Sequence, residues 1–133
     1  MDKKYLLGVD VGTTSIKVVI IDENAKPLGI SSSSYHMITP DQNSVEVDME
    51  DLWKAYLKCI RLLQEGKKLD LSKVAGISIS SLCPGLVALG ENGEVLANAI
   101  IYSDRRSTEE AEIILKAVGK DRLFDITANT AMA

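Results

Sequence analysis

Two apolar runs, residues 5–9 and 16–21, flank a short polar turn that begins at Asp10 and continues Val11-Gly12-Thr13-Thr14-Ser15. So little chain between two strand-length runs folds them back on each other, and the chain opens as a β-hairpin. The turn carries unusual chemistry for a hairpin. A carboxylate at a strand end, beside a glycine and three hydroxyls, suits a hydrated divalent cation and phosphate oxygens. Gly12 lets backbone come close to an anion, Thr13, Thr14, Ser15 and the turn amides can donate to it, and Lys17 adds a mobile positive charge. This is neither a Walker A loop, which ends in Gly-Lys-Ser/Thr before a helix, nor a GxGxxG fingerprint. The turn leads into a strand, so no helix dipole assists it. From these residues alone, a plain tight turn built of Gly and Thr is an equal reading.

Beyond the hairpin, strands are expected at about residues 5–10, 15–22 and 27–38, with a turn around residues 24–27. The serines at 31–34 read as an exposed strand edge. Residues 39–47 are polar, and Asp48 is placed to cap a helix with Asp51 in its third position. Met49, Leu52, Trp53, Tyr56, Ile60 and Leu63 recur at three- and four-residue spacing, which predicts one buried helix face to about Gln64, with Gly66 as the stop. Trp53 and Tyr56 read as packing residues there. Residues 74–80 predict a buried strand parallel to the first. Residues 85–89 and 94–97 predict a hairpin around Glu91-Asn92-Gly93, and residues 100–102 a further short strand. Ser107 with Glu110 gives a capping-box pattern before Ala111, Ile114, Leu115 and Val118, closed by Gly119. The order is that of a mixed α/β layer.

With this order in place, the motifs acquire a second meaning. Gly8-Val9-Asp10-Val11-Gly12-Thr13-Thr14-Ser15-Ile16-Lys17 resembles the first phosphate motif of the FGGY carbohydrate kinases, within the actin, Hsp70 and sugar-kinase superfamily. Glu46-Val47-Asp48-Met49-Glu50-Asp51-Leu52-Trp53 is similar to that family's acidic-Trp helix start. Ile79-Ser80-Ser81-Leu82-Cys83-Pro84-Gly85, then Gly93-Glu94-Val95-Leu96 and Ala99-Ile100-Ile101-Tyr102-Ser103-Asp104-Arg105-Arg106, resembles its sugar-binding half. The matches run in order over nearly the whole chain. The resemblance implies a ribonuclease H-like α/β fold, a mixed sheet with flanking helices, and transfer of the γ-phosphoryl group of ATP to a sugar or polyol hydroxyl. It makes Asp10 the organiser of Mg²⁺ and Gly12, Thr13, Thr14, Ser15 and Lys17 the surroundings of the nucleotide phosphates.

On the acceptor side, the resemblance points to Cys83, Pro84, Tyr102, Asp104 and Arg105. Xylulokinase-like members carry Gln-Met-His-Gly where this chain has Leu82-Cys83-Pro84-Gly85. Pro84 has no side-chain donor or acceptor, which weakens D-xylulose as the expected substrate. Asp104 and Arg105 match the Asp-x-Arg ending of the family's Trp-Asn-Asp-x-Arg motif, while an ion pair between Asp104 and Arg105 or Arg106 is the structural alternative. Tyr102 replaces the Trp and keeps an aromatic body suited to a sugar ring. The Thr127-Ala128-Asn129-Thr130-Ala131-Met132-Ala133 stretch is similar to a region well inside complete FGGY kinases. The expectation is therefore an N-terminal domain over residues 1–133, with the adenosine pocket and the general-base aspartate supplied by a missing C-terminal domain of the same protein. Rival readings are an actin-like or Hsp70-like nucleotide module and a non-catalytic binding domain.

Composition excludes other classes. At 46% hydrophobic and 26% charged residues, the chain can bury a core and is not of disordered type. A net charge of −4 without a basic stripe argues against nucleic acid. No run of about 18 apolar residues suggests a membrane span, and Met1-Asp2-Lys3-Lys4 does not open a signal peptide, so cytoplasm is expected. Cys59 and Cys83 show no metal spacing or disulfide framework, and Cys59 reads as core filler. His36, the sole histidine, lacks a catalytic partner. A homodimer is one permitted assembly.

Overall fold

The computed structural model describes residues 4–67 and 69–130. Met1-Asp2-Lys3 and the last three residues of the Thr127 to Ala133 stretch lie outside that description. The apolar runs form β1 (Tyr5–Val11) and β2 (Ser15–Asp22), antiparallel, with Asp10 opposite Lys17 and Val11 opposite Ile16. Asp22 closes the next turn by accepting the amides of Asn24 and Lys26 on its carboxylate, and β3 (Pro27–Ser34) returns along β2. Strand alternation puts Leu7, Val9, Ile16, Val18 and Ile20 on one face, where all are buried.

The expected third strand, residues 27–38, is two elements: the chain leaves the sheet at Tyr35 and starts β4 (Met37–Ile38), which pairs with β5 (Glu46–Val47). Then α1 (Met49–Lys67) crosses the buried face of β2 and β3. Asp48 caps it as expected, accepting the Glu50 amide at 2.8 Å. Asp51 does not complete a capping box; it turns to His36, accepting the backbone amide at 2.9 Å and facing Nδ1 at 3.0 Å. That contact holds the Asp51 carboxyl below its usual range. The deepest stripe of α1 is Ala55, Cys59 and Leu63, at i, i+4 and i+8. Cys59 is fully buried, as core filler should be. Trp53 is not: it is 51% exposed and stacks on Tyr56 with ring centroids 5.2 Å apart. Gly66 lies within the helix and without positive φ, so it is no stop signal.

After a single 3₁₀ turn at Leu71–Lys73, β6 (Val74–Ser81) lies parallel to β1, giving a sheet ordered β3-β2-β1-β6. The parallel pairing was expected, but burial was not: Ile77 and Ile79 share the face of Leu7 and Val9 yet are 57% and 66% exposed. The helix packs mainly on β3 and β2. The serine run is an edge strand as expected, although Ser33 is buried and the Ser31 hydroxyl bonds the Cys59 carbonyl at 3.0 Å.

A second sheet, unforeseen in the sequence, follows. The strand β7 (Gly85–Leu86) pairs with β8 (Ala99–Ile101), and β8 pairs with β5, giving β4-β5-β8-β7. The expected hairpin around Asn92-Gly93 is reduced to a tight loop with one bridge, Leu89 to Val95, and Gly93 at φ +82°. Then α2 (Thr108–Val118) and α3 (Lys120–Thr127) meet at Gly119, whose φ of +84° suits glycine. The Ser107 side chain makes no cap bond, contrary to the capping-box reading; the Thr108 hydroxyl instead bonds the Arg105 carbonyl at 2.8 Å. The helix α3 was not anticipated. Neither α2 nor α3 buries a residue, and no described helix is long and apolar enough to cross a membrane.

Candidate active site

Side-chain alternation puts Asp10 on the sheet face opposite α1. Together with Gly8, Lys17, Val19, Ile30, Ser78 and Ser80 it lines a shallow depression of about 360 Å³. Asp10 sits between Lys17 of β2 and Ser80 of β6 in the ladder. Among the described residues neither Asp10 nor Lys17 has an ion-pair partner. Next to Asp10 the chain turns through Gly12, Thr13 and Thr14, closed by a 3.0 Å bond from the Gly12 amide to the Ser15 carbonyl. A Cβ on Gly12 would lie 3.2 Å from that carbonyl oxygen, a tight approach that favours glycine at this crossing without any help from φ. The amides of Thr13 and Thr14 donate to no acceptor among the described residues. Asp10, Gly12, Thr13, Thr14, Ser15 and Lys17 are thus brought to one end of the β1–β2 hairpin.

No cluster of three or more His, Cys, Asp or Glu forms a ready cation cage among the described residues. Mg²⁺ needs no such cage, since it keeps several waters and takes one or two carboxylates plus phosphate oxygens. A lone, unengaged carboxylate beside hydroxyls fits it.

The acceptor-side residues also converge. Where β6 ends, the Leu82 amide bonds the Val11 carbonyl at 2.9 Å, tying the next loop to the phosphate turn. Cys83, Pro84, Tyr102, Asp104 and Arg105 all line one open cavity of about 1000 Å³, which Asn129 and Thr130 also reach. Tyr102 is half exposed, with its ring accessible to a ligand.

Asp104 differs from the other wall residues. Its side chain is 5% exposed, and its carboxylate accepts the amides of Val45 (2.8 Å) and Arg106 (3.0 Å) and the Arg106 guanidinium. Arg106 also reaches Glu46 of β5 at 2.8 Å, and Asn98 donates to the same carboxylate group at 3.0 Å. The Arg106 guanidinium bonded to it holds the Asp104 carboxyl down at about 2. An oxygen pair so fully occupied has no lone pair placed for a sugar hydroxyl and no basicity for its proton. The Asp-x-Arg partner is therefore Arg106, two residues on, and not Arg105. Arg105 is left with a guanidinium that has no carboxylate partner among the described residues. Sequence reasoning had passed over Glu46 and Arg106 as a pair, because β5 and the loop after β8 are brought together only by the second sheet.

Three comparisons bear on the family and the fold. Residues 5–133 match the family model described as the FGGY family of carbohydrate kinases, N-terminal domain. The chain is 30% identical over 129 residues to a xylulose kinase of Bacillus subtilis (strain 168), covering 97% of this chain and 26% of that protein. It is 32% identical over 121 residues to a glycerol kinase of Agrobacterium fabrum, covering 90% and 24% respectively. Among solved structures, a gluconate kinase from Lactobacillus acidophilus superposes with a TM-score of 0.82 at 30% identity, over 93% of this chain and 25% of that one. The chain spans about a quarter of the length of the curated relatives it matches. With the model match running from the first strand onward, the chain belongs to the FGGY family of carbohydrate kinases, as an N-terminal domain of that family.

Proposed function

We propose that these residues form the phosphate-binding and acceptor-binding part of a cytoplasmic, ATP-dependent sugar or polyol kinase whose cleft is completed by polypeptide outside residues 1–133. The observation that carries this reading is the link, through β6 and the Leu82 amide, of an unengaged Asp10 carboxylate and an anion-ready turn with a roomy cavity lined by both apolar and polar residues. The open apolar faces at Ile77, Ile79 and along α2 and α3 support further polypeptide packing there.

In this site Asp10 would hold Mg²⁺, which when bound would supply charge neutralisation for phosphoryl transfer. The Thr13 and Thr14 amides and the hydroxyls of Thr13, Thr14 and Ser15 bind phosphate oxygens, Gly12 lets the backbone come close to them, and Lys17 offsets their charge. Cys83, Pro84 and Tyr102 shape the floor and side of the acceptor cavity, and Arg105 stands at its rim. Asp104 fixes the wall through Arg106 and Glu46. No residue described here is placed as the general base, so the hydroxyl proton leaves to a group from outside these residues. The names of relatives, xylulose, glycerol and gluconate kinases, span ketose, polyol and sugar acid acceptors. With Pro84 in place of a hydrogen-bonding side chain, D-xylulose is not the preferred one.

The test compares ATP-dependent product formation by the complete polypeptide and by residues 1–133 on pentuloses, hexuloses, polyols and sugar acids. Mg²⁺-dependent phosphorylation by the complete protein alone is expected, with an acceptor other than D-xylulose best by kcat/KM. Comparable activity from residues 1–133 would show that a base lies among them, and no phosphorylation of any acceptor by the complete protein would reject the kinase reading.

A further inference from the structure

Tyr35 was not among the residues singled out in the sequence, yet its side chain reaches the turn after β1 and hydrogen-bonds it. It follows directly on β3, is 4% exposed, and its phenol donates to the Gly12 carbonyl. Its own backbone amide donates to the Thr14 carbonyl at 3.3 Å. One residue therefore engages two carbonyls of the turn from the protein side. Burial also pushes the phenol pKa up, keeping it a donor.

The consequence follows from the planarity of the peptide unit. The Gly12 carbonyl and the Thr13 N–H belong to one trans peptide and point in opposite directions. Holding the carbonyl against Tyr35 directs the Thr13 N–H away from it, and that N–H has no acceptor among the described residues. A turn with its carbonyls tied back and an amide left open presents the positive end of a peptide dipole, which is what an anion requires. Without the phenol, the peptide between Gly12 and Thr13 is free to rotate and to offer its carbonyl where the amide had been. A buried phenol must in any case find a partner, and here the partner is this carbonyl.

We infer that the Tyr35 hydroxyl is a positioning residue for the nucleotide site, orienting the Thr13 amide toward a phosphate oxygen of ATP; this rests on the phosphate turn being the nucleotide site as proposed above. The experiment is Tyr35→Phe in the complete polypeptide, which removes only the hydroxyl, with KM for MgATP and for the acceptor, kcat and the melting temperature all measured. A rise of about 5- to 10-fold in KM for MgATP, with acceptor KM unchanged, is expected for one weakened amide contact. A lower melting temperature with both KM values unchanged would make Tyr35 merely structural, and an equal rise in both would make its effect global; either overturns the inference. Should the variant fail to fold, amide exchange of Thr13 in the unmodified protein decides: slower exchange on adding MgATP supports the inference and unchanged exchange overturns it. Asp10→Asn, measured beside it, separates the two levels. If Asp10→Asn leaves both turnover and MgATP dependence intact, the phosphate turn itself has been misread; if it abolishes turnover while Tyr35→Phe changes nothing, only the positioning role fails.

Discussion

Asp10 and Asp104 both stand at or just after the end of a β-strand, in the two motifs that mark the family, and their environments are opposite. Asp10 is exposed at a ladder position between Lys17 and Ser80 and has no ion-pair partner among the described residues. Asp104 is buried, bonded to two backbone amides and to a guanidinium that is itself shared with Glu46. A carboxylate left unpaired at a surface is available to a cation, whereas one saturated with donors serves to hold loops in place. The two regions differ accordingly: the β1–β2 end carries unengaged groups, and the second sheet carries a carboxylate saturated by donors.

The comparison breaks first at Asp10. In the complete polypeptide, Asp10→Asn should lower kcat by about 10²–10³-fold while changing stability by under about 0.5 kcal/mol, because it removes charge beside Mg²⁺ and almost no packing. Steady-state kinetics at limiting Mg²⁺ together with denaturant melts would check both halves; near-normal turnover would remove Asp10 from the site.

At Asp104 the balance should reverse. Asp104→Ala strands the Arg106 and Val45 donors and should cost about 2–4 kcal/mol of stability. Acceptor KM should rise, and KM for MgATP should stay within about 2-fold, since the phosphate turn lies on the other sheet. A mutant as stable as the parent would show that the wall does not depend on this network.

Acid sharpens the same contrast. Since the folded Asp104 carboxyl is lowered from 3.8 to about 2, its stabilisation is complete above the unfolded value and is lost as pH falls through about 2. Urea melts between about pH 5 and pH 2 should show a steeper loss for the unmodified protein than for Asp104→Asn. Parallel curves would mean that another group governs acid stability in this range.

The smallest effect is expected at Lys17. Its ammonium is exposed and flexible, so Lys17→Met should raise KM for MgATP by only about 3- to 10-fold, with the acceptor KM and the melting temperature unchanged. Isothermal titration with MgATP at two salt concentrations would check this, as the difference between the two proteins should narrow at high salt.

The turn proposed to bind phosphate was legible as a hairpin end in the sequence because its residues are contiguous. Strand alternation and a short loop determine that Asp10 and Lys17 share a face, and that Gly12 to Ser15 sit at the hairpin end. The cap at Asp48 and the break at Gly119 are local in the same way, whereas the parallel β1–β6 pairing joins strands far apart in the chain and follows from the strand-helix-strand order. Tertiary structure alone decided the rest. Trp53 lies on the outer side of α1 because the sheet presses on Ala55, Cys59 and Leu63, and periodicity leaves the helix free to rotate by one residue's width about that stripe. Residues 27–38 divide between two sheets because Tyr35 turns inward to the Gly12 carbonyl, an attraction from outside the strand. The cavity proposed for the acceptor draws on residues 83–86, 100–105, 107–108 and 129–130, whose meeting depends on strands only two or three residues long, too short to carry a pattern of their own. For the same reason the partner of Asp104 could not be read from spacing: Val45 and Glu46 are distant in the chain, and only the β5–β8 pairing brings them to Asp104 and Arg106.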